Sequence, residues 1–403
     1  MAMNEREITT STDNIFDLVI VGGGFAGAAL ATVMGRKGHR IAVIDVNETF
    51  PQEYRAEKIG GEQLDLLRRL GLLEGILSYT TPVRSMMNMR RGFLVDRREV
   101  EEYGILYHDN VAALRAQIPG HVDRVIGRVV DIELSAETQR VILNDGRIVK
   151  GRLVVLATGV SDALRRRVGV TRRMVQKNQC FSAGWTIAPP TTGFDFPALT
   201  VYGERAGDGV DYLSFFPLGK NMRANLFMFT EPRNPVVAEI KADPLKAAGA
   251  LMPGLGKMIR GCTLAEGPSL HSVDLYICEN VRQNGLVLIG DAFRTSCPAV
   301  GSGLTCALQD VERLAIHADA WLATAGMGQP KIQQFYDDPI KNAMDARAHA
   351  LAASRRKAAI DADFLTVARR NARFAARVVR DRIRYIGRPS SKGRSKAADL
   401  KIS

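Results

Sequence analysis

Residues 22–27, GGGFAG, have the types and spacing that can hold a pyrophosphate. They follow an apolar segment, 16–21, that predicts a buried parallel strand. In such a turn we expect Gly22 to permit the sharp bend and Gly24 to let the backbone approach the phosphates at a helix N-terminus. Gly27 would let the helix pack closely on the strand.

An acidic residue stands where a unit of this kind needs one. Phe25 and Ala26 lie at the start of a helix predicted to end at Arg36, and a second strand, 40–44, then leads into Asp45. The acid follows the glycines by about 20 residues, the spacing at which a carboxylate binds the ribose of a dinucleotide. A glycine-rich turn without a nucleotide is the structural alternative, but the complete unit favours dinucleotide binding.

A second motif far along the chain narrows the ligand to a flavin. An apolar strand predicted at 285–289 leads into Gly290-Asp291, and a loop from Pro298 precedes a helix. This segment, 290–314, resembles the second flavin-binding motif of the p-hydroxybenzoate hydroxylase family, the class A flavoprotein monooxygenases. The resemblance covers most of residues 16–314 and implies FAD as the cofactor.

The resemblance also implies roles for individual residues of this motif. Gly290 and Asp291 would hold the ribityl chain, the aspartate through one ribityl hydroxyl, and Pro298 would lie beside the isoalloxazine ring. The backbone N–H groups facing the pyrimidine carbonyl would come from Gly301, Ser302, Gly303 and Leu304. A helix N-terminus aimed at the ring stabilises the negative charge of the reduced flavin.

Several residues depart from the family's pattern, and one of them concerns the use of NAD(P)H. Thr158 replaces the aspartate of the family's middle motif, which is implicated in NAD(P)H use, and Arg294 and Thr305 stand where many relatives have His and Asn. The predicted helix at 111–118 lacks the arginine with which the family contacts its flavin at the helix start. Arg55 is our substitute candidate for that contact.

The element pattern predicts an α/β fold, and the resemblance implies a Rossmann-like FAD-binding domain of the GR2 type. A β-sheet substrate domain interleaves with it, and helices follow at the C-terminus. The expected divisions are an N-terminal arm at 1–14, the FAD-binding domain at 15–80, 100–170 and 280–325, the substrate domain at 81–99 and 171–279, a C-terminal helical region at 326–388 and a disordered basic tail at 389–403.

The substrate sheet supplies the candidates for the substrate pocket, since in the family this sheet covers the flavin. No catalytic acid or base can be assigned. Our pocket candidates are Trp185, Phe215, Phe216, Pro217 and Pro298. Most aromatic residues of such a sheet belong to a core, because alternation buries one face whether or not a substrate lies there.

Composition narrows the partners and the compartment. The formal net charge is +12, with an arginine-rich amphipathic helix predicted within 364–388. This helix either packs on the enzyme with a solvated basic face, which we favour, or contacts an anionic membrane surface. We expect no nucleic acid, no bound metal, since His and Cys lack ligand spacing, and a cytoplasmic protein, since the N-terminal arm does not resemble a signal peptide.

The family resemblance implies a hydroxylase. NAD(P)H, as NADH or NADPH, would reduce FAD, and oxygen would add to form a flavin 4a-hydroperoxide that transfers one atom to an aromatic, quinol or lipid-like substrate. A flavin halogenase is an alternative, since residues 185–189 partly match its Trp-containing motif and Lys58 is a candidate for its lysine. An isoprenoid-type reductase and a non-catalytic flavin-binding partner are the others.

Overall fold

The computed structural model describes residues 15–53 and 55–386, so the expected arm at 1–14 and tail at 389–403 lie outside the described residues. The strands, in chain order, are β1 Ile15–Val21, β2 Ile41–Asp45, β3 Ala56–Gly60, β4 Thr81–Arg90, β5 Phe93–Leu106, β6 Asp123–Ile126, β7 Val129–Glu133, β8 Gln139–Leu143, β9 Ile148–Leu156, β10 Thr171–Ala188, β11 Leu199–Tyr202, β12 Val210–Leu218, β13 Asn221–Met228, β14 Thr263–Glu279 and β15 Leu286–Leu288.

Helices connect and cover these strands. In chain order they are α1 Phe25–Arg36, α2 Glu62–Arg69, α3 Leu73–Leu77, α4 Tyr107–Ala116, α5 Ala163–Arg167, α6 Pro235–Ala242, α7 Pro244–Leu251, α8 Gly303–Leu322, α9 Gln329–Tyr336, α10 Pro339–Ile360 and α11 Phe364–Ile386. The continuous helix that the leucine spacing predicts over 61–77 is instead the pair α2 and α3. Gly71, with φ of +67°, interrupts it.

The first sheet carries the nucleotide-binding unit. Its parallel strands lie in the order β6-β2-β1-β9-β15, and β8 and β7 extend it through antiparallel pairs. The central strands are apolar runs buried on both faces, as parallel strands covered by helices must be. Helix α1 packs against α4 and α8 beside this sheet. The arrangement puts the carboxyl ends of β1, β2 and β9 at one edge.

The second sheet has eight strands in the order β14-β10-β13-β12-β11-β4-β5-β3. Along β13, Met222, Ala224 and Leu226 join an apolar core, and the intervening residues face the opposite side. Helices α6 and α7 contribute Ile240 and Ala247 to that core. One face of the second sheet is therefore filled by its own core, and the other is available for a site.

The two sheets are built from interleaved segments of the chain. Residues 56–60 and 100–106, which the sequence-based division assigns to the FAD-binding domain, lie in the second sheet as β3 and the end of β5. The chain thus passes repeatedly between the sheets. Among residues 15–53 and 55–386, no helix combines the length and the apolar character that crossing a membrane requires.

Candidate FAD and substrate site

The glycine turn after β1 is closely packed at Gly22 and Gly27 but open at Gly24. Gly22 has φ of +105°, and a Cβ there would lie 2.5 Å from the carbonyl oxygen of Ala157. A Cβ on Gly27 would lie 1.9 Å from the carbonyl oxygen of Gly22, whereas one on Gly24 would meet nothing closer than Phe50, at 4.0 Å. Gly22 and Gly27 thus serve close packing, and Gly24, at the N-cap of α1, borders open space that suits a phosphate.

Asp45 lies at the end of β2 beside this turn. Its carboxylate accepts the backbone N–H of Gly23 at 2.6 Å and lies 3.0 Å from the Arg115 guanidinium. Arg115 also donates to the carbonyl oxygens of Gly23, Asn47 and Glu48, at 2.7 to 3.1 Å. Burial outweighs the Asp45 carboxylate and lowers the pKa of Arg115. The residue predicted to bind the ribose is therefore fixed at the edge of the turn.

The second motif meets the first. Gly290 has φ of +59°, and a Cβ on it would lie 3.4 Å from the Cβ of Ala26 in α1. Its backbone N–H donates to the buried carboxylate of Asp310 in α8 at 2.8 Å. Residues predicted from opposite ends of the sequence therefore lie side by side, and we call the region between the glycine turn and the start of α8 the groove.

Arg165 holds the Gly290–Asp291 segment in place. This arginine is completely buried and donates to the carbonyl oxygens of Val160 and Ala292, at 2.9 and 2.8 Å. Tyr276 donates its hydroxyl to the carbonyl oxygen of Asp291 at 2.6 Å, and Arg165 bonds the same hydroxyl at 3.1 Å. Residues 157–165, which align with the family's middle motif, are thus joined to the second motif through the Arg165 guanidinium.

The side chain of Asp291 is left for a ligand. Arg165 and Tyr276 both bond its backbone carbonyl oxygen. Its carboxylate has no hydrogen-bond partner among the described residues. Burial raises the pKa of Asp291, and the charges of Arg55 and Arg165 oppose that rise. Arg55 stacks over the Tyr107 ring at 3.4 Å and lies 3.8 Å from both Glu53 and Glu57. Its charge therefore acts at this end of the groove.

The loop before α8 completes the groove. A Cβ on Gly301 would meet no atom within 4 Å, and Ser302 and Gly303 form the N-terminus of α8, with Leu304 in its first turn. The hydroxyls of Ser302 and Thr158 are buried without a hydrogen-bond partner among the described residues. The backbone N–H of Gly301, one of the expected flavin donors, instead bonds the carbonyl oxygen of Pro298 at 3.0 Å. The orphaned hydroxyls, the N-terminus of α8 and the open space beside Gly24 fit a molecule with a pyrophosphate and a polar ring, as FAD has.

The substrate-side face of the second sheet lies against this loop. Tyr212 on β12 donates its hydroxyl to the carbonyl oxygen of Ala299 at 3.0 Å. Asn225 on β13 donates to the carbonyl oxygen of Ala56 at 3.1 Å, next to Arg55. Because alternate residues of a strand share a face, Arg223 lies on this side as well. The face opposite the core therefore covers the end of the groove.

Arg223 is the exceptional residue of this face. It is 2% exposed, donates from Nε to the Asn225 side chain at 3.1 Å, and has no partner for Nη1 among the described residues. Gly184 leaves room for the guanidinium, because a Cβ at that position would lie 2.1 Å from Nη2. Burial lowers the pKa of Arg223 to about 10, although the charges of Glu266 and Glu57 oppose that. The guanidinium is thus charged at neutral pH and open to an additional acceptor.

The predicted pocket residues do not all share this face. Trp185 and Phe215 lie in the apolar core on the other side of the sheet, fully buried, so the structure does not support them as pocket residues. Phe216 faces the site side but packs among Ala56, Val83, Met86 and Ala198. Pro217 and Pro298 are half-buried, the first beside Gly104 and the second in the loop before α8.

The sequence does not predict two arginines of the site, Arg115 and Arg223. Arg115 lies near the end of α4, whereas the arginine with which the family contacts its flavin lies at the helix start. The sequence does contain a signal for Arg223. It alternates along one strand with the apolar residues Met222, Ala224 and Leu226, which lie on the opposite face. A buried-strand pattern with one arginine on the second face indicates a charged site on that face.

Comparison with known proteins agrees with this geometry. Residues 16–143 match the FAD binding domain family. The FAD-dependent monooxygenase penM of Penicillium crustosum is 25% identical over 74% of this chain and 68% of its own length. The 3-demethoxyubiquinol 3-hydroxylase of Escherichia coli is 24% identical over 75% and 79%. The structure of p-nitrophenol 4-monooxygenase PnpA from Pseudomonas putida superposes with a TM-score of 0.73 at 18% identity, covering 92% of this chain and 97% of that one, which establishes the fold.

A Rossmann-like sheet with this glycine turn, covered by a second sheet, defines an FAD-dependent oxidoreductase. Residues 16–143 match an FAD binding domain and the relatives are FAD-dependent monooxygenases and hydroxylases, so the chain is similar to the class A flavoprotein monooxygenases, the p-hydroxybenzoate hydroxylase-like family. FAD is its cofactor.

Proposed function

We propose that this protein hydroxylates an electron-rich aromatic or quinol substrate that carries a polar group, using FAD, oxygen and NAD(P)H. The observation that carries the proposal is the buried guanidinium of Arg223 on the face that covers the flavin groove, whose Nη1 has no hydrogen-bond partner among the described residues. A hydrocarbon bound there would leave Nη1 without an acceptor, which is costly in a buried site. A phenol-type oxygen or another acceptor would satisfy it.

FAD supplies the oxygen chemistry when it is bound, since the hard step belongs to the cofactor. The residues of this chain bind and orient. We assign the pyrophosphate to the turn at Gly24 and α1, the adenosine ribose to Asp45, and the ribityl chain to Asp291. The N-terminus of α8, from Gly301 to Leu304, would stabilise negative charge on the ring. The second sheet would exclude water by covering the groove.

Lys58 argues against the halogenase alternative. Its ammonium lies 2.5 Å from the carboxylate of Glu102 on the paired strand β5, and both side chains are about three-quarters buried. A lysine held in this ion pair is not available to direct an oxidised halide. Trp185, the tryptophan of the partial halogenase motif, lies in the core. These two placements favour hydroxylation over halogenation.

Thr158 raises the question of the reductant. It lies two residues after the end of β9, its backbone N lies beside Gly22, and its hydroxyl cannot carry the charge that the family's aspartate carries. We propose that NADH or NADPH nevertheless reduces the bound FAD, because the remaining flavin contacts are present. The names of the relatives support a small ring substrate, since one acts on a ubiquinol and another on p-nitrophenol.

The test is anaerobic reduction of the purified flavoprotein by NADPH and NADH, followed by stopped-flow absorbance with and without phenols, quinols and polyprenyl compounds. A compound that accelerates bleaching of the flavin band and then gains sixteen mass units in air supports the proposal. A gain of two mass units identifies the isoprenoid-type reductase instead. Absence of reduction by either nucleotide, with free reduced flavin restoring product formation, contradicts direct use of NAD(P)H.

A further inference from the structure

Helix α11 presents an apolar stripe to solvent rather than to the enzyme. At 3.6 residues per turn, Leu365, Ala372, Val379 and Ile383 share one side of the helix. Leu365, Val379 and Ile383 are 61%, 57% and 65% exposed, and Phe364, at the helix start, is 83% exposed. Aligned large apolar side chains left in water mark an interaction surface.

The other side of α11 fixes the helix on the second sheet. Phe374 packs against Tyr202 with ring centroids 5.0 Å apart, and Arg377 bonds Asp96 at 2.7 Å. Asn371 accepts a hydrogen bond from Arg90 at 2.8 Å. These contacts orient the helix, so its outward stripe has a defined direction relative to the enzyme.

Arginines flank the exposed stripe. Arg370 and Arg377 are turned toward the enzyme and bond there. The remaining arginines of the helix are exposed beside the stripe: Arg369, Arg373, Arg380, Arg382 and Arg384. The one acid of α11, Asp381, faces the enzyme and accepts the backbone N–H of Arg97 at 3.2 Å. The outward face is therefore apolar and basic with no acid of its own.

We propose that the outward face of α11 docks on an anionic phospholipid surface, with the apolar stripe in the interface and the flanking arginines at the lipid phosphates. An apolar stripe bordered by cations is the composition of helices that lie in a membrane interface. A second copy of this chain is disfavoured as the occupant, because each chain carries a formal charge of +12 and presents the same basic face. The proposal does not depend on the reaction.

The probe is co-sedimentation of the full-length, FAD-loaded protein with vesicles of phosphatidylcholine alone and with added phosphatidylglycerol. We expect binding to the anionic vesicles, weakened by salt, since exposed charges are screened. The double variant Val379→Ser/Ile383→Ser removes apolar area, and Arg380→Gln/Arg384→Gln removes two charges. Each should lower partitioning about tenfold or more.

Matched control variants test whether vesicle binding depends on the outward face of α11 or only on the number of exposed apolar and basic residues. Ile340→Ser/Leu351→Ser removes two exposed apolar side chains from α10, and Arg128→Gln/Arg167→Gln removes two exposed arginines elsewhere. Both should bind vesicles as the wild type does. All variants should keep their flavin absorbance, which shows that they are folded.

Several results overturn the proposal. Equal binding to neutral and anionic vesicles, or undiminished binding of both α11 variants, excludes this face as the anionic-lipid surface. If the protein ignores vesicles but retards an RNA or DNA duplex through the same arginines, the partner is a nucleic acid. A dimer in light scattering that Val379→Ser/Ile383→Ser dissociates, without vesicle binding, identifies a second copy.

Discussion

Arg115 places its guanidinium 3.0 Å from the carboxylate of Asp45, joining the end of α4 to the end of β2. The same carboxylate accepts the backbone N–H of Gly23 at 2.6 Å. The arginine thus links Asp45, which we propose binds the ribose, to the backbone of the glycine turn. Its contribution would be to hold Asp45 and the turn in the arrangement that a nucleotide needs.

We expect Arg115→Ala to weaken FAD binding at least tenfold, because hydrogen bonds to charged groups each contribute about 1.5–3 kcal/mol and 1.4 kcal/mol is tenfold. Arg115→Lys should recover only part of this, since lysine keeps the charge but lacks the guanidinium fork. Flavin fluorescence during titration of the apoprotein measures the dissociation constant. Arg128→Ala, an exposed arginine, is the control, and equal constants for all four proteins would refute the role.

Two glycines of one turn should respond differently to alanine. Gly24 has φ of −73°, which alanine accepts, and its Cβ would point into open space. Gly24→Ala should therefore fold normally and lose FAD, because the methyl group occupies the approach to the phosphates. Gly27→Ala places a Cβ 1.9 Å from a carbonyl oxygen and should destabilise the apoprotein itself.

Flavin content by absorbance and the Tm of each apoprotein separate these two effects. The expected pattern is a wild-type Tm with little flavin for Gly24→Ala, and a lowered Tm for Gly27→Ala. A Gly24→Ala protein that retains FAD with wild-type affinity would mean that the pyrophosphate binds elsewhere.

The glycine turn, Asp45 and the Gly290–Asp291 segment were predictable because each depends on local sequence: a strand, a turn and a helix in succession. The substrate face was not. Phe215 and Phe216 are consecutive, so strand geometry puts them on opposite faces, but no local pattern says which face meets the flavin. That choice is made by α6 and α7, which cover the core face, and by the contact of Tyr212 with Ala299.

Arg115 shows a second limit of sequence reasoning. Its partners are the backbone of Gly23, Asn47 and Glu48 and the carboxylate of Asp45, all distant in sequence. A helix pattern identifies which residues face a core, but it does not identify what a long side chain reaches at the helix end. Such contacts follow from the packing of α4 beside α1.

Replacing Arg223 should impair catalysis more than folding. Arg223→Met fills the space without a charge. It removes an incompletely bonded buried guanidinium but also the donor to Asn225, and because these two effects oppose each other we expect Tm to change by only a few degrees. With a phenol-type substrate, kcat/KM should fall about 10- to 100-fold, the loss of one charge-assisted hydrogen bond. Steady-state kinetics at constant flavin content measure it.

Arg84→Met is the matched control for Arg223, since this arginine is exposed on a strand of the same sheet. It should leave kcat/KM unchanged. If Arg223→Met turns over phenols as the wild type does, Arg223 serves the sheet and not the substrate.

The surroundings of Asp338 predict how the free energy of unfolding depends on pH. Burial tends to raise its pKa, but the backbone N–H of Lys341 and the side chains of Arg313 and His317 outweigh burial, so the pKa lies below its usual value. The carboxylate accepts these bonds at 2.8 to 3.0 Å at the start of α10. A carboxyl with a lowered pKa in the folded state contributes stability above its unfolded pKa of about 3.9, and that stability is lost as the pH falls through the folded value.

Asp338→Asn should therefore lower Tm by several degrees near neutral pH, because asparagine still caps the helix but carries no charge for Arg313 and His317. The difference from wild type should shrink below about pH 4, where the Asp338 carboxyl begins to take up a proton in the unfolded chain while it is still ionised in the folded protein. Asp363→Asn is the control, since Asp363 caps α11 through Thr366 at an exposed position and should change Tm little. A constant difference in Tm across the whole pH range would show that the Asp338 charge does not stabilise the fold.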